Sequence, residues 1–141
     1  MGWSCSILVV MRNLLTIVLF LLYSQIAVAQ TAATPNPTTA LRTARTIYVQ
    51  SSTILVGQAV IEEKLRSRSE FQQLGLQITR DLAQADLVLE VKHDLFTMFV
   101  YTAIDPNTNV VVASGKLSSL GGTVAGKVAK RFLKQVQKAR A

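Results

Sequence analysis

The chain has a single cysteine, Cys5, and a single histidine, His93, in 141 residues. Cys5 falls within the N-terminal leader, so the rest of the chain can form no disulfide, thiolate metal site or cysteine nucleophile. One histidine cannot build a histidine metal site, and no serine stands in a Gly-x-Ser-x-Gly elbow. The usual footings for a metalloenzyme or a hydrolase triad are therefore missing. No Asn-x-Ser/Thr acceptor occurs. Acids are also scarce, with 8 Asp and Glu against 15 Lys and Arg. Because Arg12 is the only charge before position 30, fourteen basic residues face eight acidic ones after it, a net of +6. Export without disulfides suits a bacterial envelope better than a small animal secreted domain, which at this size is usually cross-linked.

The leader is legible from its parts. Residues 14–23 are apolar apart from Thr16, Arg12 precedes them, and Ser24-Gln25 followed by Ala27-Val28-Ala29 closes the run. A charged start, a hydrophobic centre and a small-x-small end predict a signal peptide over residues 1–29, cleaved near Ala29. Residues 14–29 number 16 and include Ser24 and Gln25, short of the ~20 apolar residues that span a bilayer, so no stable transmembrane span is expected after cleavage. An uncharged apolar run at residues 1–10 leaves Met1 and Met11 as alternative starts. Position 30 is Gln rather than the cysteine of a lipoprotein signal, so no lipid anchor is expected. The expected location is periplasmic or secreted.

Residues 30–44, rich in Thr, Ala and Pro, read as a flexible linker, and residues 45–141 as one α+β domain. Residues 46–51 are β-branched and aromatic enough for a strand. A helix is expected to begin between Ile54 and Gly57 and to fade near residues 66–69, with Val56, Val60, Ile61 and Leu65 inward and Glu62 outward. One more turn over residues 69–74 ends at Gly75, which suits a left-handed stop, and residues 76–80 form a second strand. Strand, helix and strand in this order favour a right-handed crossover between parallel strands.

Residues 85–117 read as three consecutive antiparallel strands. In the first, Leu87, Leu89, Val91 and His93 share the core face and Val88, Glu90, Lys92 and Asp94 the other. The next is apolar on both faces, Phe96, Met98, Val100 and Ile104 on one and Phe99, Tyr101 and Ala103 on the other. It is expected to be central or covered on both faces, with the second set turned away from the inferred core side. Residues 105–109, Asp-Pro-Asn-Thr-Asn, form a turn. The fold class that follows is a two-layer α+β sandwich: a mixed five-stranded sheet in the order β-α-β-β-β-β-α, with two helices packed on one face.

From Thr123, Ala125, Val128, Ala129, Phe132, Leu133 and Val136 make one apolar stripe of a C-terminal helix. Lys127, Lys130, Arg131, Lys134 and Lys138 occupy the remaining surface with no acid among them. They serve either as a solvated face or as a binding site for anionic polymer or lipid headgroups. Nucleic acid fits poorly, since no aromatic residues interleave the basic ones. Tyr48, Phe99 and Tyr101, if they meet off the core side, are the candidate partner surface.

Three other patterns fail on chemistry. Residues 121–127 fit Gly-x-x-x-x-Gly-Lys, but Val128 stands where a phosphate loop needs a magnesium-binding hydroxyl; glycines that turn the chain, with Gly126 allowing close packing, explain the pattern. Glu90 and Asp94 are four apart on a strand, roughly 13 Å, beyond the about 5 to 9.5 Å of a glycosidase pair. His93 reads as an ordinary strand residue rather than a general base. No catalytic residue, metal or cofactor is predicted, and a small hydrolase is a remote alternative.

The runs Leu74-Gly75-Leu76-Gln77-Ile78-Thr79-Arg80-Asp81 and Ala85-Asp86-Leu87-Val88-Leu89-Glu90-Val91, with the Asp105 turn, resemble small bacterial envelope proteins. These are the domains of accessory lipoproteins of outer-membrane assembly and cell-wall synthesis, and secreted proteins of similar length. The resemblance implies a non-enzymatic adaptor with an envelope protein as partner. The chain departs from it in lacking the lipoprotein cysteine.

Overall fold

A computed structural model of the chain describes residues 36–119 and 123–141. The predicted leader, residues 30–35 of the predicted linker, and Gly121 and Gly122 lie outside the described residues. The elements in order are α1 (Pro37–Thr43), β1 (Thr46–Ser51), α2 (Gln58–Arg66), α3 (Ser69–Gln73), β2 (Gln77–Thr79), a 3-10 turn (Leu82–Gln84), β3 (Leu87–His93), β4 (Met98–Asp105), β5 (Val110–Ser118) and α4 (Val124–Arg140). The five strands form one mixed sheet in the order β2-β1-β3-β4-β5. β1 is parallel to β2 and β3, whereas β3, β4 and β5 are antiparallel neighbours. This is the expected α+β sandwich, with α2 and α4 on one face.

The expected linker is corrected from residue 37 onward. The Asn36 side chain accepts from the Thr38 amide at 3.1 Å and Pro37 follows at the first helical position, a strong helix start. Leu41 and Ala44 of the resulting α1 are buried. A bulge between Ala103 and Ile104 sets Val111 opposite Ile104 and leaves the intervening Val112 packed against the core. α1 packs against this part of β5 and against α4.

β1 and β3 each place alternate aliphatic residues under the helices: Ile47, Val49, Leu87, Leu89 and Val91 are fully buried. Burial of each stabilises by roughly 1.5 to 3 kcal/mol before chain entropy is subtracted. α2 adds Ile61 and Leu65, and the whole apolar stripe of α4 is buried. Gly75 takes the left-handed φ of 61° that ends α3, and Asn109, at φ 56°, closes the Asp105 turn. There the Asp105 carboxylate accepts from the Asn107 amide at 2.9 Å.

β4 is turned over relative to expectation. Leu89 faces Ala103, Val91 faces Tyr101 and His93 faces Phe99, so Phe99, Tyr101 and Ala103 lie on the helix side and are buried. Met98, Val100 and Ile104 take the other face, half-buried. The physical reason lies in β5, where Tyr101 is opposite Gly115. A Cβ on Gly115 would lie 2.6 Å from the Tyr101 ring, so the glycine supplies the space that the tyrosine fills. Gly126 offers no such contact, and the expected close packing there is not found.

The Ala-Asp-Leu segment fixes the parallel register. The Asp86 carboxylate accepts from the amides of Arg45 and Thr46, each at 2.8 Å, while the Asp86 amide donates to the Thr46 carbonyl at 3.1 Å. Burial alone would raise the Asp86 pKa, but these amides, the Thr46 hydroxyl and the Arg45 charge together bring it below the usual carboxylate value.

Two stability tests follow from these contacts. Gly115→Ala should cost about 1 to 3 kcal/mol in urea unfolding, and Tyr101→Leu added to it should recover part of the loss; strictly additive effects would contradict the packing. Asp86 contributes stability that is present above its unfolded pKa, near 4, and lost as pH falls through its lower folded value. Asp86→Asn should lower the unfolding midpoint at neutral pH and flatten the acid limb below about pH 4. An acid limb of unchanged slope would argue against the staple.

Candidate functional site

The predicted aromatic surface does not exist as such. Phe99 and Tyr101 are in the core, where burial raises the tyrosine pKa against the opposing charge of Arg131, and Tyr48 alone remains on the uncovered face. That face instead carries a transverse row in register across four strands: Tyr48 beside Val88, Val88 beside Ile104, and Ile104 beside Val111. Below it run polar rows, with ion pairs from Lys92 to Glu90 at 2.9 Å and from Lys116 to Asp94 at 2.6 Å. Along this row Val88 is buried, Tyr48 and Ile104 are half-buried and Val111 is exposed.

The five basic residues of α4 predicted as an anion site divide into two groups. Lys127 donates to the Ser118 carbonyl at 3.2 Å, Arg131 to the Lys116 carbonyl, and Gln135 to the Ser114 carbonyl at 2.9 Å. Four helical residues rise ~6 Å and two strand residues ~6.6 Å, so a row at four-residue spacing keeps pace with successive outward carbonyls of β5. These bonds close the β5 edge. Lys130, Lys134 and Lys138 are exposed and belong to no ion pair among the described residues. They stand ~6 Å apart along one ridge, an uninterrupted cationic line. The opposite edge strand, β2, has three residues and offers little template for another strand.

The remaining ionisable candidates are engaged in structure. Glu62, expected outward, is buried on α2, where its carboxylate accepts from Gln58 Nε2 at 2.9 Å and pairs with Arg80 at 3.4 Å and Arg66 at 3.8 Å. It lies in an open cleft with Tyr48, Gln58, Ala59 and Arg80, where its contact with Arg80 ties α2 to the end of β2. Val60, expected inward, is exposed in its place. Arg140 donates to the carbonyls of Leu74 and Ala44, locking the end of α4 to the lower end of the sheet. Val128 of the phosphate-loop pattern is fully buried, and Lys127 is committed to β5. No group of three or more His, Cys, Asp or Glu side chains among the described residues could hold a metal ion. No described helix is long and apolar enough to cross a membrane.

His93 serves the β3–β4 turn. Its Nε2 lies 2.5 Å from the Phe96 carbonyl, which can only accept, and its ring packs on Phe99 at 4.9 Å. Phe96 has φ 52°, a left-handed conformation that costs a bulky residue roughly 1 to 2 kcal/mol. Sequence reading placed Phe96 inside the strand and Ile54 at a helix start, and so missed both as exposed groups. The missed signal was the lack of charge in residues 51–57 and 95–97, apolar stretches too short to belong to the flanking elements.

No protein-family model matches the chain, and no curated protein matches it. Among solved structures, two of the PelC dodecamer from Paraburkholderia phytofirmans, one carrying a single substitution, are similar to it. The substituted form is 16% identical, with a TM-score of 0.40 over 66% of this chain and 88% of that one. The other is 15% identical, with a TM-score of 0.35 over 67% and 86%. Likeness of this degree carries nothing about function.

The division of α4 has a signed consequence for stability. Replacing Lys130, Lys134 and Lys138 together by Gln should raise stability slightly at low salt, by about 0.2 to 0.5 kcal/mol for each repulsive pair relieved. Arg131→Ala should instead lower it by about 1 kcal/mol through the uncapped Lys116 carbonyl. Thermal melts that moved in the same direction for both would refute the division.

Proposed function

We propose that this chain is an exported, non-enzymatic binding domain of the bacterial envelope that meets a protein partner through the uncovered face of its sheet. The observation that carries the reading is the asymmetry of the sandwich. α2 and α4 lie on one face, the β5 edge is closed by α4 and α1, and β2 is short, while the Tyr48–Val88–Ile104–Val111 row lies on the face opposite these two helices. A partner therefore docks on the face rather than by extending the sheet. The leader supports export. The absence of catalysis is supported by the structural engagement of Glu62, His93, Glu90 and Asp94.

A second reading, binding of an anionic polymer along α4, is favoured by the unpaired lysines of the Lys130–Lys134–Lys138 ridge. Here the chain contacts acidic groups through charge, with little sequence or shape selectivity.

A photo-crosslinking residue at Tyr48 or Val111, introduced in cells that make the protein, should give one discrete adduct. The same residue at Lys134 should give none, and Ile104→Glu should abolish the adduct. Adducts from Lys134 alone would overturn the face reading. Under the polymer reading, binding to a soluble polyanion should weaken about tenfold or more between ~50 and ~200 mM salt, and the triple Gln variant should lose most of that dependence.

A further inference from the structure

We propose that one end of the sheet, distinct from its open face, inserts into anionic phospholipid bilayers through two apolar turn tips. β1 and β3 run parallel with Ser51 abreast of Val91, and the Ser52 amide donates to the Val91 carbonyl at 3.0 Å. The segment after β1 and the β3–β4 turn therefore leave the same end of the sheet on adjacent strands, ~4.8 Å apart. Together they present Ile54, Leu55, Leu95 and Phe96, which are 104%, 63%, 65% and 90% exposed.

The tips are built rather than frayed. In the β3–β4 turn the Asp94 amide donates to Met98 at 2.9 Å, the Met98 amide to Leu95 at 2.8 Å, and His93 holds the Phe96 carbonyl. In the other tip the Leu55 amide donates to the Thr53 hydroxyl oxygen at 3.1 Å. Phe96 occupies a positive-φ position that ordinarily selects Gly or Asn, so a large ring is kept in water at a site where a polar residue would fold more easily.

Charge selects the occupant. Residues 52–58 and 95–97 carry no charge. The carboxylates at this end among the described residues, Glu90 and Asp94, are paired with Lys92 and Lys116, so insertion leaves no unpaired anion in apolar surroundings. α4 begins at the same end. Lys127, exposed although its amine donates to the Ser118 carbonyl, lies in the first turn and Lys130 ~4.5 Å further along, whereas Lys134 and Lys138 lie ~10 and ~16 Å beyond Lys127, so the first pair stands nearer that end. Separate protruding side chains with cations close behind them fit a deformable anionic surface.

The full chain with Trp3→Phe and Phe96→Trp carries its only tryptophan at the tip. On vesicles of mixed phosphatidylethanolamine and phosphatidylglycerol, its emission should shift to the blue and be quenched by brominated acyl chains, and both effects should fall away on phosphatidylcholine. Lys127→Gln with Lys130→Gln should weaken the response about tenfold or more, and Lys134→Gln with Lys138→Gln much less. With the reporter moved to Leu55→Trp, Leu95→Asn with Phe96→Asn should suppress the quenching while the thermal midpoint holds or rises. Absence of quenching at both tips overturns the proposal. So does an equal effect of the two lysine pairs, which would mean α4 lies flat on the surface, or a blue shift produced only by lipid-free envelope extract, which would mean a protein occupant.

Discussion

The packing of α4 against the sheet is the constraint on which the rest of the structure depends. Its apolar stripe, from Val124 to Val136, covers β strands that would otherwise lack a second layer. The row beside the stripe, Lys127, Arg131 and Gln135, takes the outward carbonyls of β5 and removes an edge that could recruit another chain. At its end, Arg140 binds the carbonyls of Ala44 and Leu74. One helix thus supplies core, edge protection and closure, and the surfaces left for contact are those it does not touch.

Several ionisable groups among the described residues are likewise engaged in holding the fold. Asp86 sets the register of β1 on β3, Glu62 ties α2 to Arg80, and His93 shapes a turn. Each satisfies backbone or charged neighbours, Glu62 from a buried position and Asp86 and His93 from exposed ones. Phe96 differs: its carbonyl holds His93, but its ring stands exposed at a strained φ.

Much of the architecture was legible in the residues. The β1 boundaries, the left-handed Gly75, the Asp105 turn and the stripe of α4 follow from local chemistry with a single solution each. The candidate surfaces were less legible. β4 is apolar on both sides, so its alternation could not say which side met the helices, and the aromatic pair was assigned outward. The deciding residue was Gly115, on a different strand, whose missing side chain makes room for Tyr101. Asn36-Pro37 was likewise hidden in a Thr- and Pro-rich stretch, because composition alone does not separate a tether from a capped helix.

The sequence by itself determined the elements, their order and the excess of positive charge, because periodicity, capping and turn chemistry act over a few neighbouring residues. Only the tertiary structure decided which face of β4 is core, that Lys127 and Arg131 are the helix cations bonded to β5, and that Ile54 and Phe96 share one end of the sheet. Those outcomes depend on strand register and on the pairing of residues far apart in the chain, and no local pattern encodes them.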